Sequence, residues 1–177
     1  MLTKSGEAES RALRHVAEVM LLAARTAPKA RGVDNLVTAI VAGKTKNALA
    51  AEMRRIAENE TGVAFFARDA VNVDHSPYII LLGTKSKPMG LNYCGFCGFD
   101  NCQANAAAGA ICAYNTHDLG IAVGSAVSVA ASHRADNRVM FSVGRAALNL
   151  KLLGEDVRVC FGIPLSVTGK SPYYDRK

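Results

Sequence analysis

Ser76-Pro77-Tyr78-Ile79-Ile80-Leu81-Leu82-Gly83 is a short apolar run opened by Ser-Pro and closed by glycine. An amphipathic strand would alternate apolar and polar residues; this run does not, so it reads as a strand buried on both faces. It is expected to be the central strand of a sheet with a layer packed on each side. Outward from it, helical patterns predominate. Residues 8–27 place Leu13, Val16, Met20, Ala24 and Ala27 at helical spacing, and Pro28 closes the segment. A second helix is expected over 46–60, carried by Leu49, Met53, Ile56 and Ala57 and ended by Gly62. The apolar segment Leu36 to Ala42 between them fits either a strand or a helix.

Beyond residue 112, residues 116–133 are so rich in Ala, Gly and Ser that the helix they form should be buried. Gly120, Gly124, Ser128 and Ser132, four apart, would admit another backbone. A further helix over 141–153 ends at Gly154, and Val157 to Gly162 alternates before meeting Pro164, as a strand near the C-terminus does. Helices interspersed with few strands, without an internal repeat or a dividing linker, imply an α+β fold in a single domain over 1–177.

The 177 residues are 50% hydrophobic and 20% charged, ordinary globular composition for a chain able to bury one substantial core. Lys plus Arg less Asp plus Glu is 21 − 15 = +6, but the basic residues are scattered. That argues against nucleic acid or a membrane surface as partner. The longest apolar run, Leu119 to Ala131, is 13 residues, short of the roughly 18 a spanning helix needs. The N-terminal residues lead into a charged amphipathic segment, not an apolar signal region, so a cytoplasmic location is expected.

Four of the five cysteines lie between Cys94 and Cys112, in a segment that reads YCGFCGFDNCQANAAAGAIC from Tyr93. In a reducing compartment such clustering points to metal or redox chemistry before disulfides. Four thiolates are the usual ligand set of a 4Fe-4S cluster, and the interspersed glycines suit a loop that must wrap a bulky inorganic group. Asp100 or Asn101 can cap a short small-residue helix over 103–111. The competing reading is zinc, whose four-cysteine sites usually pair two C-x2-C knuckles; only one occurs here. Incidental buried thiols would leave the clustering unexplained.

The run CGFCGFDNC followed by QANAAAGAIC resembles the four-cysteine 4Fe-4S module of corrinoid iron–sulfur proteins and electron-transport subunits. The whole chain, through GIPLSVTGKSPYYDR, is similar to a bacterial and archaeal family of unknown function containing a ferredoxin domain. That resemblance makes Cys94, Cys97, Cys102 and Cys112 the ligands, in a module at 91–115. It implies electron transfer or redox sensing with a redox partner protein, or a zinc-stabilised interaction module if the metal is zinc. Ala23 to Pro28, the small-residue helix and the closing strand resemble the layout of FMN-dependent nitroreductases. That likeness implies helices packed on a small central sheet, a homodimer with flavin at the interface, and a reductase in which the cluster feeds FMN. Arg25 and Lys29, with Arg31 nearby, are the candidate flavin-phosphate residues, although helix C-termini favour cations in any case.

Cys160, in an apolar strand, reads as an inert buried thiol. His117 and Asp118 open the small-residue helix near Cys112, where they would tune a cluster or simply suit a helix N-terminus. His15 and His75 lack ligand spacing, and His133 reads as a surface residue. The segment from Tyr173 to Arg176 reads as an anchored tail or a cover over a neighbouring subunit.

Overall fold

The structure is a computed structural model that describes residues 2–174. The elements in chain order are α1 (Ser5–Thr26), a 3-10 turn (Ala30–Gly32), β1 (Leu36–Val41), α2 (Gly43–Asn59), α3 (Phe65–His75) and β2 (Tyr78–Lys85). They continue with α4 (Cys102–Ala107), α5 (Ala113–Ser132), β3 (Asp136–Asn137), α6 (Phe141–Asn149) and β4 (Val157–Ser166). The strands form one antiparallel sheet in the order β1-β2-β4-β3.

The apolar run is β2, and it is buried on both faces. Successive side chains of a strand point to opposite sides. Ile79 and Leu81 accordingly enter a core with Leu49 and Met53 of α2, Phe66 of α3 and Val143 of α6. Ile80 and Leu82 enter the other core, with Leu13 and Met20 of α1 and Leu119 and Ala126 of α5. The sheet is therefore a middle layer, with α2, α3 and α6 on one side and α1 and α5 on the other. Replacing a fully buried leucine such as Leu81 by Ala would cost about 2–5 kcal/mol.

Helix α6 lies close against β4. A Cβ on Gly144 would stand 1.8 Å from the carbonyl oxygen of Cys160, so only glycine lets the helix lie this close. From the other side, a Cβ on Gly162 would stand 2.0 Å from Val143 Cγ1. Ser142 Oγ donates to Asp69 Oδ2 at 2.6 Å, tying α6 to α3 through a buried carboxylate.

Several expectations from the sequence change. The undecided segment at 36–42 is strand β1. Helix α3 carries no prediction: Phe66, Ala70 and Val73 supply a helical stripe, but buried Asp69 and Asn72 interrupt its apolar pattern. The expected helix over 141–153 stops at Asn149. The last strand runs through Pro164 to Ser166 instead of ending near Gly162. Gly162 exchanges backbone hydrogen bonds with Met140 at 2.8 and 3.1 Å, so Pro164, two residues on, turns its N-H-less side toward the gap between β3 and Met140. No ladder bond is lost there.

The small-residue helix α5 begins at Ala113, earlier than expected, and is not buried all round. Its buried face is Asn115, Asp118, Leu119, Ala122, Ala126 and Ala130. Gly120, Gly124, Ser128 and Ser132 are exposed, and a Cβ on either glycine would touch nothing. A helix in an outer layer covers only one face with its own chain. Tyr173 is anchored within the chain's own core: its hydroxyl meets Ser76 Oγ at 2.8 Å and Arg138 donates to its carbonyl at 2.9 Å. Exposed Tyr174 lies under the Arg138 guanidinium, and Asp175 and Arg176 fall outside the described residues.

Candidate metal centre

The chain leaves β2 at Lys85 and does not re-enter regular structure until Cys102. Two side chains from other segments and one of the loop's own hold the stem of this loop. Arg31 donates to Met89 O at 2.7 Å, the Lys87 amide donates to Asn115 Oδ1 at 2.8 Å, and Ser86 Oγ donates to Ala110 O at 3.3 Å. Both the approach to the cysteines and the start of α5 are fixed to each other by these bonds. None of the three anchors stands out in the sequence; buried Asn115, a lone amide beside Cys112, is the nearest to a signal.

Beyond the stem the backbone turns sharply. Gly95 and Gly98 adopt φ of +68° and +82°, left-handed values that glycine takes without a side-chain clash, and the Gly98 amide closes a turn onto Gly95 O at 2.9 Å. Tyr93 also has a positive φ, +54°, and its ring is wholly exposed. Asn101 caps α4, its Oδ1 accepting the Ala104 amide at 2.9 Å, as its place before a small-residue helix implied. That helix spans only 102–107 before Gly109 turns the chain, shorter than the 103–111 expected.

These turns bring Cys94, Cys97, Cys102 and Cys112 to the lining of one cavity of about 320 Å³. Cys94 and Cys97 come from the loop, Cys102 is the first residue of α4, and Cys112 is the N-cap of α5. All are free thiols; three are half-buried and Cys112 is buried. Aromatic residues complete the wall, with Phe96 stacked on Tyr114 at a ring separation of 5.7 Å. Among the described residues, no three His, Cys, Asp or Glu side chains gather on a single-ion position. The donor set is four soft sulfurs around a shared space, which fits an iron–sulfur cluster by its chemistry.

The candidate flavin cations lie elsewhere, at the end of α1, and each is already engaged. Arg25 Nη1 donates to Asp34 Oδ2 at 2.5 Å and to Leu36 O at 3.1 Å. Lys29 Nζ donates to Arg25 O at 2.6 Å and Ala27 O at 2.8 Å, closing the helix end. Burial works against the Asp34 charge, but the Arg25 bond, the Leu36 amide and the nearby Lys29 outweigh it and hold the carboxyl below its usual range. Asp118 sits in the second turn of α5, not at its start, and its Oδ1 accepts the Ala30 amide at 3.1 Å, pinning the 3-10 turn. His117 is exposed beside Tyr114, and exposed His133 contacts the Val129 carbonyl. Cys160 lies apart from the cavity on β4, where burial pushes its thiol up to about 12.

No described helix is long and apolar enough to cross a membrane. A family of uncharacterized proteins containing a ferredoxin domain matches residues 108–176, a span that holds Cys112 of the four clustered thiols. An uncharacterized protein of Archaeoglobus fulgidus is 39% identical over 185 residues, covering 99% of this chain and 98% of that protein. Among solved structures, an FMN- and NADPH-dependent nitroreductase from sphigopyxis sp. strain HMH superposes with a TM-score of 0.61 at 12% identity, over 90% of this chain and 81% of that one. The FMN-dependent nitroreductase of Mycobacterium smegmatis, solved with NADPH, gives 0.59 at 10% identity, over 88% and 78% of the two chains. A nitroreductase family protein of Clostridium novyi NT gives 0.56 at 17%, over 87% and 74%. At such identities the likeness is one of fold, and the α+β architecture is nitroreductase-like. With a relative matched along nearly its whole length, the chain belongs to the family of uncharacterized proteins containing a ferredoxin domain.

Proposed function

We propose that this protein holds one 4Fe-4S cluster on Cys94, Cys97, Cys102 and Cys112 and works in the cytoplasm, as a homodimer, in one-electron transfer with a redox partner protein or in redox sensing. The observation that carries the reading is the cavity. Four thiols separated by as many as nine residues line one space of about 320 Å³, on a loop whose left-handed glycines serve no strand or helix. The ferredoxin-domain description of the family supports the same reading. When bound, such a cluster supplies a reversible one-electron couple whose potential depends on burial and on hydrogen bonds to its sulfurs. The chain's part is to keep the loop stem fixed through Arg31, Ser86 and Asn115, so that the sulfurs stay in place in either redox state.

The test is iron, sulfide, zinc and flavin analysis of anaerobically purified protein, with spectra before and after reduction. About four iron and four sulfide per chain are expected, with an EPR signal on reduction. Stoichiometric zinc without acid-labile sulfide would replace the reading with a zinc-stabilised interaction module.

The fold favours a second reading, a reductase in which the cluster feeds FMN. Arg25 and Lys29 would then exchange their present partners, Asp34 and the carbonyls at the end of α1, for the flavin phosphate. Release of fluorescent flavin on acid treatment, reduced in Arg25→Gln and Lys29→Gln, would support it; absence of flavin and failure to bind added FMN would remove it.

A further inference from the structure

On the side of the sheet that carries α2, α3 and α6, a second cavity of about 340 Å³ opens to the surface, apart from every thiol. Its floor is Phe66, buried in the core, with Ile56 and Val63 beside it. At its mouth Phe141 meets Phe66 edge-on, ring centroids 6.0 Å apart, yet leaves 57% of its own surface exposed. The first residue of α6 thus holds an aromatic face in water beside an apolar cavity, and nothing in the described chain covers it.

The cationic groups at this cavity differ in their availability. Arg55 is committed to Glu52 through two bonds of 2.7 and 2.8 Å. Arg145 has no hydrogen-bond or ion-pair partner among the described residues. It follows Phe141 by four positions on α6, so guanidinium and ring share one face of the helix. Glu60 also lines the cavity and opposes a second negative charge. One available guanidinium, an apolar floor and an opposing carboxylate favour a ligand with one negative charge and an apolar body.

We propose that this cleft binds a small organic monoanion, an aromatic monocarboxylate, with its carboxylate on Arg145 and its ring against the exposed face of Phe141, above the apolar floor. The assignment is independent of the metal centre and stands whether or not a cluster or flavin is present.

The test uses the full chain as purified, titrated with benzoate and phenylacetate, with benzyl alcohol as the neutral probe and phenyl phosphate as the dianion, followed by NMR shifts and calorimetry. Saturable binding of the monocarboxylates is expected, with shifts confined to the α2, α3 and α6 side. Arg145→Gln should weaken it roughly tenfold or more through loss of a charge-assisted pair. Phe141→Ser should weaken it too, whereas Arg158→Gln, the same charge change at an exposed site on β4, should leave it unchanged. Both altered side chains are exposed, and unchanged melting temperatures would show the fold intact. The proposal is overturned by no saturable shift up to the solubility limit, by benzyl alcohol or phenyl phosphate binding as well as benzoate, or by Arg145→Gln behaving like Arg158→Gln.

Discussion

Cys160 and the four thiols between residues 94 and 112 are the same group in opposite surroundings. Cys160 sits on β4 beneath α6, where Gly144 lets the helix backbone close over the strand and water is excluded. Burial pushes its thiol to about 12, which keeps it protonated and a poor nucleophile at neutral pH. The other four belong to a segment that stays outside the sheet, turns on left-handed glycines and leaves its sulfurs facing a cavity. In the sheet, backbone pairing and close packing leave a sulfur nothing to do but fill space. In the loop, the backbone has given up regular pairing, and the sulfurs are free to act as ligands.

The hardest test of the packed half of this contrast is Gly144→Ala. A methyl 1.8 Å from a carbonyl oxygen forces α6 away from β4, and the chain should lose its cooperative fold, a cost above about 4 kcal/mol. A normal thermal melt by circular dichroism would show that the helix does not lie as described. Next in size is the loop half. Cys102→Ala should lose iron and sulfide, and Cys160→Ala should keep both, measured on anaerobic preparations. Retention in the first, or loss in the second, would mean that the ligands lie elsewhere.

Thiol labelling then sets the two environments side by side in one experiment. In metal-free folded protein at pH 8, maleimide should modify the half-buried Cys94, Cys97 and Cys102 and leave Cys160 intact until denaturant is added. A group raised to about 12 is thiolate to only roughly one part in ten thousand at that pH. Mass spectrometry showing early modification of Cys160 would contradict its burial. A smaller effect is expected at Asn101, whose side chain caps α4. Asn101→Ala should cost about 1 kcal/mol locally, read as faster amide exchange in residues 102–107 with little change in the sheet. Uniform faster exchange would mean that loop and sheet unfold together.

The smallest effect concerns acid. Asp34 is held below its ordinary 3.8 by Arg25, the Leu36 amide and Lys29, against the opposing effect of burial. A depressed carboxyl contributes its full stability above the unfolded value and loses it as pH falls through the lower folded one. The wild-type chain should therefore lose more stability than Arg25→Gln on acidification from about pH 5 to below pH 3, by tenths of a kcal/mol because the pair is half-exposed. Parallel denaturation curves for the two proteins would show that the pair contributes nothing.

How much was legible follows from what each pattern reports. Tyr78 to Leu82 announced a strand covered on both sides because uninterrupted apolar residues have nowhere else to go, and the cysteine spacing announced its own chemistry without any fold. Helix α3 was hidden because Asp69 and Asn72 are buried polar residues; Asp69 Oδ1 takes the neighbouring Arg68, but Oδ2 finds its partner only when Ser142, 73 positions away, is brought beside it. The extent of α5 and its exposed stripe were equally out of reach, since composition gives apolarity and not which layer a helix occupies.

Local sequence by itself therefore determined the elements with unbroken periodicity, the α+β class and the grouping of four thiols, since these depend on neighbours along the chain. Tertiary structure alone decided that Pro164 could stay inside a strand, that Arg25 would find partners at the start of β1, and that Arg145 would be left without one among the described residues beside an apolar cleft. Each of those outcomes depends on a residue from another element arriving, or failing to arrive, at hydrogen-bonding distance, and local periodicity holds no record of that distance.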